Sequence, residues 1–378
     1  MSDNSYDVIV VGVGGMGSAS AFELARRGRR VLGLEQFAPA HDRGSSHGHT
    51  RVIRTAYYEH PAYVPLVRRA FRLWHELEQR TGRHLLTPCN CLSIGQPGGE
   101  LIEGVRRAAA EHRLAVEELD AAALRRRFPP FRFDDSYVGL LEQEAGFLYV
   151  EDCVRAAIAD AEAHGATLRW DEPVQSWEAS DRGVTVRTHR ATYHADRLVL
   201  TAGAWATRLL GDWGAKLTVM RQVLFWLAPA DLRPFARDRF PVYLADTPDG
   251  CFYGLPAIDP RGHKLARHYG APERPGPDGV ERTVTDADEA PVRAFVRRHL
   301  PAADGPRRHA TVCLYTLSPD RHFVIDVHPE HPTVAVAAGF SGHGFKFAAT
   351  VGEILADLAE TGRTELPIEL FRIGRLRS

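Results

Sequence analysis

Residues 6–17 read YDVIVVGVGGMG: Tyr6 and Asp7, an apolar run from Val8 to Val11, then Gly12-Val-Gly14-Gly-Met-Gly17. A short run of β-branched residues ending in a glycine turn predicts a buried parallel strand over 6–12. The following SASAFELARR, Ser18 to Arg27, predicts a helix closed by Gly28. RVLGLE then predicts a second strand that ends on Glu35, eighteen residues beyond Gly17. The spacing G-x-G-x-x-G inside a strand–turn–helix–strand unit is a dinucleotide fingerprint. The first glycine turns the chain, the second admits a pyrophosphate to the backbone, and the third packs helix on strand. The acid meets a ribose hydroxyl and would repel a 2′-phosphate. The fingerprint does not choose between a nicotinamide and a flavin dinucleotide.

Outward from this unit, a Gly/His/Arg-rich stretch runs from His41 to Arg54, long and rich in donors in the manner of functional loops. Leu66, Val67, Ala70, Phe71, Trp74 and Leu77 share one face of a helix ending near Gly82. Thr185–Leu200 reads as paired strands leading into TAGAW, and Val223–Tyr253 as strands joined by loops. Thr333–Ala338 reads as a strand, followed by the glycine loop GFSGHGFK and a helix from Phe347 to Leu358. Strand, glycine loop and helix thus recur at both ends of the chain. With no repeat or linker between them, a second domain has to be woven from internal segments. The expected organisation is α/β: a Rossmann-type nucleotide-binding domain from 1–85, 146–218 and 314–378, interwoven with an α+β substrate domain from 86–145 and 219–313 on a mixed or antiparallel sheet.

At 378 residues, with 44% hydrophobic and 25% charged residues and a formal net charge of −1, the chain offers no general attraction for nucleic acid or anionic membrane. The first residues carry no signal segment and no run of 18 apolar residues occurs, so a cytoplasmic enzyme is expected. Five cysteines, Cys89, Cys91, Cys153, Cys251 and Cys313, make neither an even disulfide set nor a zinc pattern. Cys89 and Cys91 would share a face of one strand. His47-x-His49 lacks a third ligand at suitable spacing, and no metal is expected. Lys and Arg total 47, but the lysines are only Lys216, Lys264 and Lys346, which leaves 44 arginines. In so arginine-rich a chain, a retained lysine points to work that needs a compact ammonium.

Three further stretches carry a resemblance. Ser45-Ser-His47-Gly-His49-Thr50-Arg51-Val-Ile-Arg54, TAGAW at Thr201–Trp205 and GFSGHGFKF at Gly339–Phe347 together resemble the monomeric sarcosine oxidase and N-methyltryptophan oxidase family over essentially the whole chain. The resemblance implies FAD as the dinucleotide. The implied cofactor contacts are Gly12, Gly14, Gly17, Glu35, Ser45, Thr50, Arg51, Val174, Gly203, Trp205, Gly342, Gly344, Phe345 and Lys346. On its own, Cys313 in HATVCLYT reads as a buried core cysteine. By resemblance it is the cysteine that forms a thioether with the flavin 8α-methyl.

The resemblance also implies that Arg51 lies against the flavin, with His47 nearby. Arg54 and Lys346 receive a substrate carboxylate, and Lys264 activates oxygen. His268 is the active-site histidine, and Tyr253 and Tyr315 line the pocket. Leu244 stands where the sarcosine enzymes place methionine. Tyr57-Tyr58-Glu59-His60 is bulkier than the family's glycine-containing loop, and His49 replaces an acid, its role open.

The activity implied is oxidation of the C–N bond of a small secondary-amine amino acid, with an imine formed and O2 reduced to hydrogen peroxide by a monomeric enzyme. Alternatives are a cyclic imino acid of proline or pipecolate type, a biosynthetic intermediate, or a dehydrogenase using an acceptor other than oxygen. From another class comes a nucleotide-sensing or structural protein without turnover.

Overall fold

In the computed structural model, which describes residues 4–214 and 216–377, the strand Ser5–Val11 runs through the middle of an eight-stranded sheet. It pairs in parallel with Val31–Leu34 on one side and with Thr192–Leu200 on the other. Thr167–Arg169 and His331–Ala338 extend this parallel core. Antiparallel strands Val174–Ser180, Gly183–Thr188 and Val324–His328 complete the sheet. Successive residues of the first strand bury on opposite faces. Val8 and Val10 join the core that contains Ala21, Leu24, Ile354 and Leu355, and Ile9 and Val11 join the one that contains Leu32, Leu198 and Val336. Both faces are covered, which is why the run is continuously apolar.

The first helix spans Gly15–Arg26 and so begins three residues before the expected Ser18. The difference lies in the glycines, which are the first turn of the helix itself: the Ser18 amide donates to the Gly14 carbonyl at 3.0 Å. A Cβ on Gly17 would stand 1.7 Å from the Gly12 carbonyl oxygen, so strand and helix can approach only because that residue has no side chain. The helix Tyr63–Thr81 ends at a left-handed Gly82, with Leu66, Val67, Ala70, Trp74 and Leu77 buried as its periodicity requires. The last long helix, Ala348–Thr361, follows a single 3-10 turn, Phe345–Phe347.

A nine-stranded sheet forms the second layer. Thr218–Leu227 pairs antiparallel with Arg307–Leu317 and, at its far end, with His263–His268. Gly250–Leu255, Val242–Thr247, Cys91–Gly95, Val138–Glu142 and Val116–Leu119 follow in spatial order. The pairing of Val242–Thr247 with Cys91–Gly95 is parallel and the rest antiparallel, so the sheet is mixed. Its core is aromatic, with Phe252 and Phe295 stacked at 4.3 Å and Phe131, Phe225, Phe240 and Tyr243 around them. A small third sheet joins Thr50–Arg54, Ala145–Tyr149 and Leu86–Pro88.

Two expectations change. Cys89 and Cys91 do not share a strand, because Asn90 between them takes a positive φ of 62° and breaks the pairing. The division expected between 313 and 314 falls inside the strand Arg307–Leu317, which pairs with Thr218–Leu227 nearly end to end. The outermost domain bounds, 1 and 378, lie outside the described residues. Among the described residues no helix is long and apolar enough to cross a membrane.

Candidate active site

A cavity of about 560 Å³ opens where the three sheets meet. Nineteen of the residues expected to bind cofactor or substrate line it: Gly12, Gly14, Glu35, Ser45, Thr50, Arg51, Arg54, Val174, Gly203, Trp205, Leu244, Tyr253, His268, Cys313, Tyr315, Gly342, Gly344, Phe345 and Lys346. Gly17, His47 and Lys264 do not. Gly17 is held in the strand–helix contact described above. His47 is buried beside Cys313 with its Nε2 unpaired among the described residues. Lys264 stands behind the wall, where its ammonium donates to the carbonyl oxygens of Gly48 at 2.7 Å and Thr50 at 2.6 Å, over the Trp226 ring. Burial and the Arg51 charge push Lys264 well below the ordinary lysine range.

The cavity suits a dinucleotide. The twelve-residue helix Gly15–Arg26 presents its N-terminus there; its cap residue Gly14 has no side chain, and the Gly15 amide donates to the Ser46 hydroxyl at 3.2 Å. Glu35 is held by the amides of Val13 at 2.9 Å and Phe37 at 3.2 Å, which aims its carboxylate at the cavity wall. Thr316 also lines the cavity, and its buried hydroxyl has no partner among the described residues. A Cβ on Gly342 would stand 2.3 Å from the Tyr315 ring, so the C-terminal glycine loop lies flat against that tyrosine.

Arg51 and Cys313 meet on this wall. Arg51 Nη2 lies 3.2 Å from the sulfur and also donates to the Ser45 carbonyl at 2.9 Å. Burial would raise the thiol, but the charge of Arg51 and the neighbouring His47 outweigh it and bring Cys313 down to about 7. By contrast burial raises Cys89, Cys91, Cys153 and Cys251 above the ordinary range.

Arg54, 3% exposed, is held by the Ala56 carbonyl at 2.9 Å and by both oxygens of Glu59 at 2.6 and 2.9 Å. Its guanidinium lies 4.2 Å from the ring centre of Tyr57 and 4.9 Å from that of Tyr58. Burial opposes the Glu59 charge, yet Arg54 holds the carboxyl down at about 2. Lys346 donates to the His343 carbonyl at 2.7 Å and to the Tyr57 hydroxyl at 3.4 Å, and burial with the Arg54 charge lowers it to about 7. His268 contacts the Tyr315 hydroxyl at 3.3 Å, and burial lowers it to about 4, so it is neutral near pH 7. His49 is turned elsewhere: Glu151 accepts its amide, and its ring meets Arg261 at 2.5 Å and Asp259 at 3.5 Å.

Glu59, Ser46, His343 and Thr316 also line the cavity, and none of them is among the site residues expected from the sequence. For Glu59 a signal existed, an acid five residues beyond Arg54 in a loop already noted as unusual. Thr316 lies in a strand whose pattern gives no sign of which face opens on a ligand.

Residues 7–358 match the family described as FAD dependent oxidoreductase. Over 381 residues the chain is 44% identical to a monomeric sarcosine oxidase of Streptomyces avermitilis, covering 98% of each protein. It is 36% identical to an N-methyl-L-tryptophan oxidase of Salmonella agona, covering 98% of this chain and 99% of that one. Among solved structures, the open form of NikD, described as an unusual amino acid oxidase essential for nikkomycin biosynthesis, superposes with a TM-score of 0.84 at 28% identity, covering 98% of this chain and 97% of that one. The glycine fingerprint, the cavity it opens on and these full-length relationships agree: the chain belongs to the FAD dependent oxidoreductase family, in the group of the monomeric sarcosine and N-methyl-L-tryptophan oxidases.

Proposed function

We propose that the protein is a flavin-dependent oxidase of the C–N bond of an N-methyl or other secondary-amine amino acid. The observation that carries this reading is that one cavity holds both a dinucleotide cradle and a buried pair of cations, Arg54 and Lys346. When bound there, FAD supplies the two-electron acceptor for the amine and passes those electrons to O2 as hydrogen peroxide. Gly12–Gly17, Glu35, Ser45, Val174, Gly203 and Trp205 would hold its nucleotide part. Arg51, Gly342, Gly344 and Phe345 would face the ring, and Cys313 would carry its covalent bond. A thiol lowered to about 7 in contact with a guanidinium is suited to that attachment.

The chain's own residues then orient the substrate. Arg54, forked and permanently charged, receives the carboxylate on one side, and Lys346 receives it on the other while the pH keeps it protonated. For this Glu59 has to yield its place on Arg54, so the Tyr57–His60 loop shifts as substrate enters. Fixing the carboxylate fixes the neighbouring nitrogen and C–H, and that orientation supplies much of the rate. Tyr253, Tyr315, Leu244 and neutral His268 exclude water around the reacting carbon. An amine bound without its proton needs no further base. Lys264, behind the wall at Gly48 and Thr50, would in its protonated form stabilise the negative charge that oxygen acquires. The protein is expected to act as a cytoplasmic monomer, with the domain division of the sequence reading moved to include all of Arg307–Leu317 in the substrate domain.

Acid precipitation of the purified protein tests the reading at its base. Yellow colour should stay in the wild-type pellet and leave with the supernatant in Cys313→Ser, and N-methyl amino acids should then release peroxide. Colour that washes out of the wild type would remove the covalent link. Turnover only with an artificial acceptor would make the protein a dehydrogenase.

A further inference from the structure

Glu142 is a buried carboxylate, 5% exposed, that the chemistry above leaves unused. It ends the strand Val138–Glu142 and reaches the point where the chain leaves the strand Thr50–Arg54. Its Oε1 accepts from two successive backbone amides, those of Thr55 and Ala56, the second at 2.9 Å. These are the two residues directly after Arg54. The carbonyl of Ala56 is in turn the acceptor for Arg54 Nη1, at 2.9 Å. Carboxylate, peptide and guanidinium therefore form a continuous chain of hydrogen bonds that ends at Glu59 on the far side of Arg54.

A turn leaving a buried strand must find acceptors for its amides, and a neutral oxygen would serve. A carboxylate without a cation in direct contact is a costly way to do it. Among the described residues Glu142 forms no ion pair, so its burial is unrewarded unless its position or its charge matters.

We propose that Glu142 is a positioning residue for substrate carboxylate binding: it sets the Thr55–Ala56 turn that presents Arg54 and places a titratable negative charge behind the guanidinium. The proposal rests on reading Arg54 as the carboxylate's partner.

The charge has a consequence for pH. Burial raises Glu142 to about 7 against the Ala56 and Thr55 amides and the Arg54 charge. The groups facing it are Cys91, directly opposite on the strand Cys91–Gly95, Val116 opposite on the other side, and Arg54. Burial keeps the Cys91 thiol protonated and Val116 is apolar, which leaves Glu142 as the group among them that titrates near neutrality. An anion arriving at Arg54 meets this charge once Glu142 ionises, so affinity falls as pH rises through about 7.

The test uses the flavin-loaded enzyme, with acetate as an amine-free carboxylate read by the flavin absorbance change and by competition. Glu142→Ala should raise KM and the acetate Kd at least tenfold at pH 6. Glu142→Gln keeps an acceptor oxygen, so it should match wild type within threefold at pH 6 and bind acetate at least threefold more tightly than wild type at pH 8.5. Lys346 is common to both proteins and cancels in that comparison. Arg54→Met, as the control, should raise KM at least a hundredfold. A folded Glu142→Ala with wild-type KM and acetate affinity overturns the proposal. If that variant does not fold, identical acetate profiles for Glu142→Gln and wild type from pH 6 to 8.5 overturn it. An Arg54→Met enzyme with unchanged KM overturns instead the carboxylate reading beneath it.

Discussion

Arg51 Nη2 and the Cys313 sulfur lie 3.2 Å apart, joining the small three-stranded sheet to the nine-stranded one at the cavity wall. The contact holds the thiol at about 7 against a burial that would raise it. Iodoacetamide should therefore alkylate Cys313 in flavin-free protein with a midpoint near that pH, and Arg51→Gln should move the midpoint up by a unit or more. An unmoved midpoint would mean that some other group holds the thiolate.

The ion pair of Arg54 with Glu59 predicts an acid-sensitive increment of stability. Glu59 is depressed to about 2 from an ordinary value near 4.5. Its contribution is therefore complete above about pH 4.5 and disappears as pH falls from there towards 2. In urea unfolding at pH 7, Glu59→Gln should be less stable by on the order of 3 kcal/mol, because a buried guanidinium loses its counter-charge. The gap should narrow at pH 3. A gap that stays constant with pH would assign the loss to packing.

Lys346 sets part of the pH dependence of substrate binding. Burial and Arg54 lower it to about 7, so the ammonium that meets a carboxylate disappears as pH rises through that value. KM should rise between pH 6 and 8. In Lys346→Met it should be at least tenfold higher at pH 6 and should lose most of that rise. A variant whose KM still climbs as steeply would leave the dependence to Glu142.

Lys264 predicts a split between the two halves of the reaction. Its ammonium is engaged by two backbone carbonyls and lies outside the cavity lining. Lys264→Met should slow reoxidation by O2 at least a hundredfold in stopped flow while anaerobic reduction by substrate changes less than fivefold. Equal losses in both halves would show that the residue supports the Gly48–Thr50 loop and nothing more.

Much of the fold was legible because it rests on local signals. The apolar run to Val11, the glycines of the first turn and Glu35 after the second strand are spaced by backbone geometry alone, and the structure builds the unit in that order, with the helix starting at Gly15 and the strand ending at Leu34. The face of the helix Tyr63–Thr81 follows from a period of 3.6 residues in the same way. The strand expected to hold Cys89 and Cys91 failed because alternation says nothing of a residue such as Asn90 that leaves the extended region.

The chain by itself determined a dinucleotide-binding α/β fold and the residue types available to the site, since both follow from periodicity and from side-chain chemistry at near neighbours in sequence. Which of those residues meet was decided by tertiary structure alone. Arg51 and Cys313 are 262 positions apart, Glu142 grips amides 86 and 87 positions away, and Lys264 passes behind the wall. Burial then moved Lys346 and Glu142 to about 7, and the Arg51 charge with His47 brought Cys313 there against its burial. The physical reason is that desolvation and Coulomb interaction depend on distance through space, and strand pairing sets that distance without regard to separation along the chain.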